Sequence, residues 1–214
     1  MPSRILLAAC LSVIAFLSPA LTRADADPAH GRQLAYTCYG CHGIANYKNV
    51  YPTYSVPKLQ GQHPEYLGLA LQAYRSGERS HGTMHSQAVT MSDQDMQDIA
   101  AFLGGKSLKV GATPSGKAPQ KVQELCVACH GPDGVGITPQ YPSLAGQHAD
   151  YLERALRDYR DGGRKNAVMG GFAAQLTDQD IKEMAEYYAQ QRPGLSTPKH
   201  AMWFAQEGHD SGSR

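Results

Sequence analysis

The five residues Cys38-Tyr39-Gly40-Cys41-His42 recur as Cys126-Val127-Ala128-Cys129-His130. Thiols three positions apart share one face of a helix. Both can therefore reach the two vinyl groups on one edge of a porphyrin and bond to them as thioethers. The histidine that follows is held beneath the ring, where neutral imidazole binds iron. This is the spacing of covalent c-type haem attachment. Two other chemistries use part of the pattern: four cysteines in two pairs can hold one zinc ion, and a single pair can be a redox dithiol. Neither requires a histidine directly after the second cysteine, and the chain has one both times. The motifs read as two covalently bound haem c groups on Cys38, Cys41, Cys126 and Cys129, with His42 and His130 as iron ligands.

The elements that carry these motifs are duplicated. At an offset of 85 residues, Tyr66-Leu67 through Tyr74-Arg75 pairs with Tyr151-Leu152 through Tyr159-Arg160. The same offset pairs Gly61-Gln62-His63 with Gly146-Gln147-His148, and Ser92-Asp93-Gln94-Asp95 with Thr177-Asp178-Gln179-Asp180. The haem motifs are offset by 88, so the first copy has three extra residues after its motif. Such self-similarity means two copies of one unit, over residues 25–108 and 117–195. Residues 109–116 form a linker, within a Gly-, Ser-, Pro- and Lys-rich stretch.

Each copy reads as all-α. Asp27-Pro28 starts a helix that ends on the haem motif. Tyr66, Leu67, Ala70, Leu71 and Tyr74 make one apolar face of a second helix, which begins near Pro64 and stops near Gly77. Ser92 caps a third, with Met96, Ile99, Ala100 and Leu103 as its buried stripe. Thr177 caps the equivalent helix of the second copy, with Ile181, Met184, Ala185 and Tyr188 buried. No strand-like alternation competes.

The duplication also selects a second axial ligand. Met84 pairs with Met169 at offset 85, both in sequence resembling a loop before the last helix of their copy. Met91, Met96 and Met184 pair with other residue types, as core methionines do. The iron ligands are thus His42 with Met84 and His130 with Met169, and a methionine raises the reduction potential. His81 and His85 flank Met84 and are its rivals; no histidine flanks Met169. Arg75, Arg79, Arg160 and Arg164 are candidates to neutralise haem propionates.

The chain has 214 residues and a formal net charge of +1. Residues 1–24 read as a secretory signal peptide, with Arg4, an apolar run from Ile5 to Leu17, and cleavage after Ala24 or Ala20. A retained membrane anchor is the alternative for this segment, and Leu7-Ala8-Ala9-Cys10 matches a lipoprotein box only by chance. Cleavage removes Cys10, Arg4 and Arg23. The only cysteines left are then those of the two motifs, so no disulfide is expected. Eighteen basic residues face 19 acidic ones, a balance that does not support nucleic-acid binding. Residues 196–214, with Met202-Trp203-Phe204, read as a tail.

On these motifs the chain resembles the dihaem cytochrome c-four family, over nearly all of the chain that follows residue 24. The resemblance implies two tandem class I cytochrome c domains related by an approximate two-fold axis, with haems close enough to exchange electrons. It also implies a periplasmic single-electron carrier, free or loosely associated with the membrane, that acts on no small-molecule substrate. The partners it implies are redox proteins: a quinol-oxidising complex as donor, and a terminal haem-copper oxidase or periplasmic reductase as acceptor. Two other functions fit the same motifs. One is a haem subunit of a larger dehydrogenase, such as a flavin-dependent sulfide dehydrogenase. The other is an enzyme with an open iron, a peroxidase or gas-binding protein. The first copy departs from the Gly-rich sequence seen after the second motif; it has Gly43-Ile44-Ala45-Asn46-Tyr47, then Tyr51 and Tyr54, which predicts a different haem environment.

Overall fold

The computed structural model describes residues 25–51 and 53–199. Residues 1–24, read above as a signal segment, and residues 200–214, Met202-Trp203-Phe204 among them, lie outside the described residues. Asp27 caps the first helix, α1 (Pro28–Leu34), its carboxylate accepting from the Ala29 and His30 amides, with Pro28 where its missing N–H costs nothing. The expected single helix to the haem motif is broken. Ala35 leaves helical geometry (φ −76°, ψ 6°), and α2 (Tyr36–His42) starts anew with Cys38, Cys41 and His42. Then come α3 (Pro64–Ser76), closed by Gly77 at φ 79°, α4 (Gly82–Ala88) and α5 (Asp93–Gly104). The second copy gives α6 (Gln120–Leu125), α7 (Val127–His130), α8 (Ala149–Arg160), α9 (Ala167–Ala173) and α10 (Asp178–Gln190). Both α5 and α10 open with full capping boxes, Ser92 with Asp95 and Thr177 with Asp180, each worth about 1 kcal/mol. Among the described residues the only β-structure is three isolated bridges, and no helix is long and apolar enough to cross a membrane.

The expected stripes are buried. Ile99 and Leu103 of α5 pack with Ala35, Tyr39 and Phe102, while Ile181, Met184, Ala185 and Tyr188 of α10 pack with Val122 and Leu152. In the first copy α1 crosses α5 at Gly31, where a Cβ would overlap the Asp98 carbonyl. An ion pair locks this crossing. Asp98, 2 % exposed, accepts from His30 Nδ1 at 2.8 Å, the Asp27 amide at 2.8 Å and Gln94 Nε2 at 2.9 Å. The bond to Asp98 raises the His30 pKa. Burial pushes the Asp98 carboxyl up, but these three hydrogen bonds outweigh it and hold it below the usual range. The linkage follows. The His30 contribution is complete below the unfolded-state pKa and is lost as pH rises through the raised one. The Asp98 contribution is lost only as pH falls through its lowered pKa. Thermal unfolding of the first domain between pH 5 and about 9 should therefore show stability falling on the alkaline side, and His30→Gln should abolish that slope. The second copy has Ala118 and Glu183 at these places and should show no such limb.

The two copies meet across a seam of reciprocated bonds. Gln62 holds the backbone of Ser143, accepting from its amide at 2.8 Å and donating to its carbonyl at 2.9 Å. Gln147, 85 residues on, holds Lys58 in the same way at 3.0 Å each. The Ser80 amide donates to Gly163 at 2.8 Å, and the Lys165 amide to Glu78 at 2.7 Å. Each bond has its partner under the 85-residue shift, the signature of a two-fold-related interface. The extra residues of the first copy form a finger closed by Lys48 and Ser55. Ser55 donates to Asp150 of the other domain, and the tip residues Val50 and Tyr51 are almost fully exposed. Residues 109–116 are tied to the second domain: Gly111 and Ala112 donate to Asp133, and Ser115 exchanges bonds with Gln191. Ser196, placed in the tail from sequence, pairs with Gln60 of the first domain.

Candidate haem sites

Helix α2 presents Cys38 and Cys41 on one side and ends at His42; α7 does the same for Cys129 and His130, with Cys126 as its N-cap. All four thiols are free and half-buried. No three of the described His, Cys, Asp or Glu residues gather as a metal cluster, so the four cysteines do not form the single site that a zinc tetrathiolate needs.

The histidines show the closest match between copies. His42 Nδ1 lies 2.9 Å from the Pro57 carbonyl, and His130 Nδ1 2.9 Å from the Pro142 carbonyl. A carbonyl oxygen only accepts, so Nδ1 carries the hydrogen and the free lone pair sits on Nε2. Burial lowers both pKa values, which keeps the rings neutral and able to ligate. Sequence reasoning missed these prolines, although they stand at the repeat offset and in equivalent places before the Leu59 and Leu144 segments.

Met84 and Met169 are not in loops. They lie on the seven-residue helices α4 and α9, where a polar side chain three residues earlier accepts from each methionine amide: His81 Nδ1 at 3.3 Å and Asn166 Oδ1 at 2.9 Å. The cap explains why a Gly-rich stretch still turns helical. In the first domain His42, Met84, Cys38 and Cys41 all line one cavity of ≈ 210 Å³, whose mostly apolar wall includes Leu67 and Leu103 and also carries polar groups such as Arg79 and Gln147. Tyr54 from the extra segment joins this wall. An apolar cavity bordered by two thiols, an imidazole with Nε2 free and a thioether is what a haem bound at both iron faces requires. Of the rivals to Met84, His81 uses Nδ1 as the helix cap, and His85 donates Nδ1–H to the Tyr74 carbonyl at 2.8 Å.

The four arginines separate into two kinds. Arg75 ties α3 to the start of α5 through Asp93 and the Met91 carbonyl, and Arg160 ties α8 to α10 through Asp178 and the Leu176 carbonyl. Arg79 and Arg164 are buried at the seam.

To this point the geometry defines a class: c-type cytochromes made of two helical haem domains. The cytochrome c family model matches residues 28–106 and again 117–191. Cytochrome c4 of Pseudomonas aeruginosa is 34 % identical over 183 residues, covering 78 % of this chain and 90 % of that protein. The crystal structure of reduced recombinant cytochrome c4 from Pseudomonas stutzeri superposes with a TM-score of 0.62 at 30 % identity, over 80 % of this chain and all of that one. A protein of Stutzerimonas stutzeri described as thiosulfate dehydrogenase electron acceptor is 35 % identical over 186 residues, covering 78 % of this chain and 82 % of that one. The chain belongs to the cytochrome c family, as a dihaem electron-transfer cytochrome of the c4 kind with two covalently bound haem c groups.

Proposed function

We propose that this protein shuttles single electrons in the periplasm between a quinol-oxidising complex and a terminal oxidase or reductase, and is not itself an enzyme. Cys38 and Cys41 would tether the first haem, with His42 and Met84 on its iron. Cys126, Cys129, His130 and Met169 would do the same for the second. A bound haem supplies reversible one-electron storage. The chain's own residues set how it is used: the prolyl carbonyls orient both imidazoles, and the capped α4 and α9 hold both thioethers. The observation that carries this reading is the duplicated methionine helix. Held by His42 with Met84 and by His130 with Met169, the two haems would supply electron storage with no position kept for a substrate.

A second reading, as the electron acceptor or haem subunit of a periplasmic dehydrogenase, is favoured by the likeness to the thiosulfate dehydrogenase electron acceptor. Mixing the oxidised protein in a stopped-flow instrument with a quinol-oxidising complex, and separately with a thiosulfate dehydrogenase, distinguishes the two. The true donor should reduce it at roughly 10⁵ M⁻¹ s⁻¹ or faster. Carbon monoxide binding to the reduced protein at neutral pH would overturn both readings, because it demands an open iron.

A further inference from the structure

The repeated segments Gly61-Gln62-His63 and Gly146-Gln147-His148 each press one buried glutamine against the other domain. Each side-chain oxygen accepts two amide hydrogens. Gln62 Oε1 accepts from His63 at 3.0 Å and, across the seam, from Ser143 at 2.8 Å. Gln147 Oε1 accepts from His148 and, across the seam, from Lys58, both at 3.0 Å. Two N–H groups converge only on an oxygen, so the orientation of both side-chain amides is fixed.

The peptides gripped in this way also hold the axial imidazoles. The Lys58 N–H and the Pro57 carbonyl belong to one peptide group, as do the Ser143 N–H and the Pro142 carbonyl. Those carbonyls accept the Nδ1 hydrogens of His42 and His130, at 2.9 Å each. One line of hydrogen bonds therefore runs from Gln147 of the second domain, through a single peptide, to His42 of the first. The other runs from Gln62 of the first domain, through a single peptide, to His130 of the second. A peptide whose N–H is engaged is a stronger acceptor at its oxygen, because the two bonds polarise each other, and more so in a buried, low-dielectric setting. A stronger acceptor on Nδ1–H fixes the imidazole plane and makes Nε2 more basic. A more basic ligand favours the oxidised iron.

We propose that Gln62 and Gln147 are positioning residues for the iron ligands of the opposite domain, each acting through one peptide group, so that closing the seam sets the reduction potential of both haems. This rests on the haem placement given above. The connection is crossed: the side chain that tunes each haem is carried by the domain that does not bind it.

The crossing is what the experiment reads, in the holoprotein with two haems. In the reduced wild-type protein the porphyrin ring current should shift the ring hydrogens of His42 and His130 strongly upfield, and following them through a redox titration assigns each potential to its haem. Gln147→Met keeps the length of the side chain, removes its donor and leaves only a weak acceptor. At a fixed ambient potential it should lower the oxidised-to-reduced ratio of the first haem by about threefold, a rise of about 28 mV at 59 mV per tenfold. It should also move the His42 Nδ1 hydrogen upfield and leave the second haem as it was. Gln62→Met should do the same to the second haem and to His130. Gln147→Glu retains the acceptor, so the first potential should stay or fall. Potentials that move together, fall in the methionine variants, or shift in the haem of the substituted domain overturn the proposal, since an opened seam would wet both haems alike. A rise in Gln147→Glu equal to that in Gln147→Met overturns it too. Absence of the upfield ring hydrogens in the wild type would instead refute the haem placement itself.

Discussion

Replacing Met84 with Ala should lower one of the two reduction potentials and remove about half of the weak red-edge sulfur-to-iron absorption, leaving the other haem as it was. Met169→Ala should do the same to the other half. Axial ligands move haem potentials over a range of roughly 0.8 V, so loss of a thioether should shift the affected potential by an amount on the order of 0.1–0.3 V. The two effects should be independent, since Met84 and Met169 are held by separate caps on α4 and α9. His81→Asn, which copies Asn166 into the first domain, should leave the absorption intact, because the cap to the Met84 amide survives the exchange. A redox titration followed optically measures all of this. Both potentials staying in place after the methionine substitutions would refute the ligand assignment.

Gly31→Ala should be the most destabilising single-methyl change in the first domain. The added Cβ would overlap backbone of α5 at Asp98 rather than a flexible side chain. Neither helix can yield without opening the His30–Asp98 pair and the Ile99 and Leu103 packing. Overpacking usually costs up to about 3 kcal/mol, and more when backbone must move. In a domain of this size the melting temperature should fall by roughly 10–25 °C, visible as early loss of the first haem's spectrum on heating. Gly40→Ala is the control, with opposite sign. Gly40 lies within α2 with open space at its Cβ position, and the second motif already has Ala128 there. Alanine should stabilise this helix by about 0.5–1 kcal/mol. Melting temperatures that move together in the two variants would refute the packing account.

The haem-attachment chemistry was legible because it is local. The pattern of Cys38, Cys41 and His42 lies within about one turn of helix, so it can be read without any distant residue. The duplication was legible because two copies of one chain record their own alignment, which also sets Met84 and Met169 apart from the other five methionines as the pair at matching places. Caps and stripes followed from the 3.6-residue period, so α3, α5, α8 and α10 lie where the pattern puts them. The short-range expectations failed where a single polar contact outweighs composition. The stretch around Met169 reads as a Gly-rich loop, yet one hydrogen bond from its amide to Asn166 suffices to start α9. The helix leading to the first motif reads as continuous, yet Ala35 breaks it so that α1 can lie on α5 while α2 turns its cysteines elsewhere.

What the sequence determined by itself is therefore the chemistry, its copy number and the helices that bear it, since these depend on residues a few positions apart. Tertiary structure alone decided which imidazole nitrogen is free, because the Pro57 and Pro142 carbonyls reach His42 and His130 through folded loops. It alone divided four similar arginines into two that tie helices and two that are buried as a facing pair. The physical reason is that solvation and long-range hydrogen bonding are properties of the packed surroundings. Arg79 and Arg164, 85 residues apart, pair in a bridge only after one domain has closed upon the other.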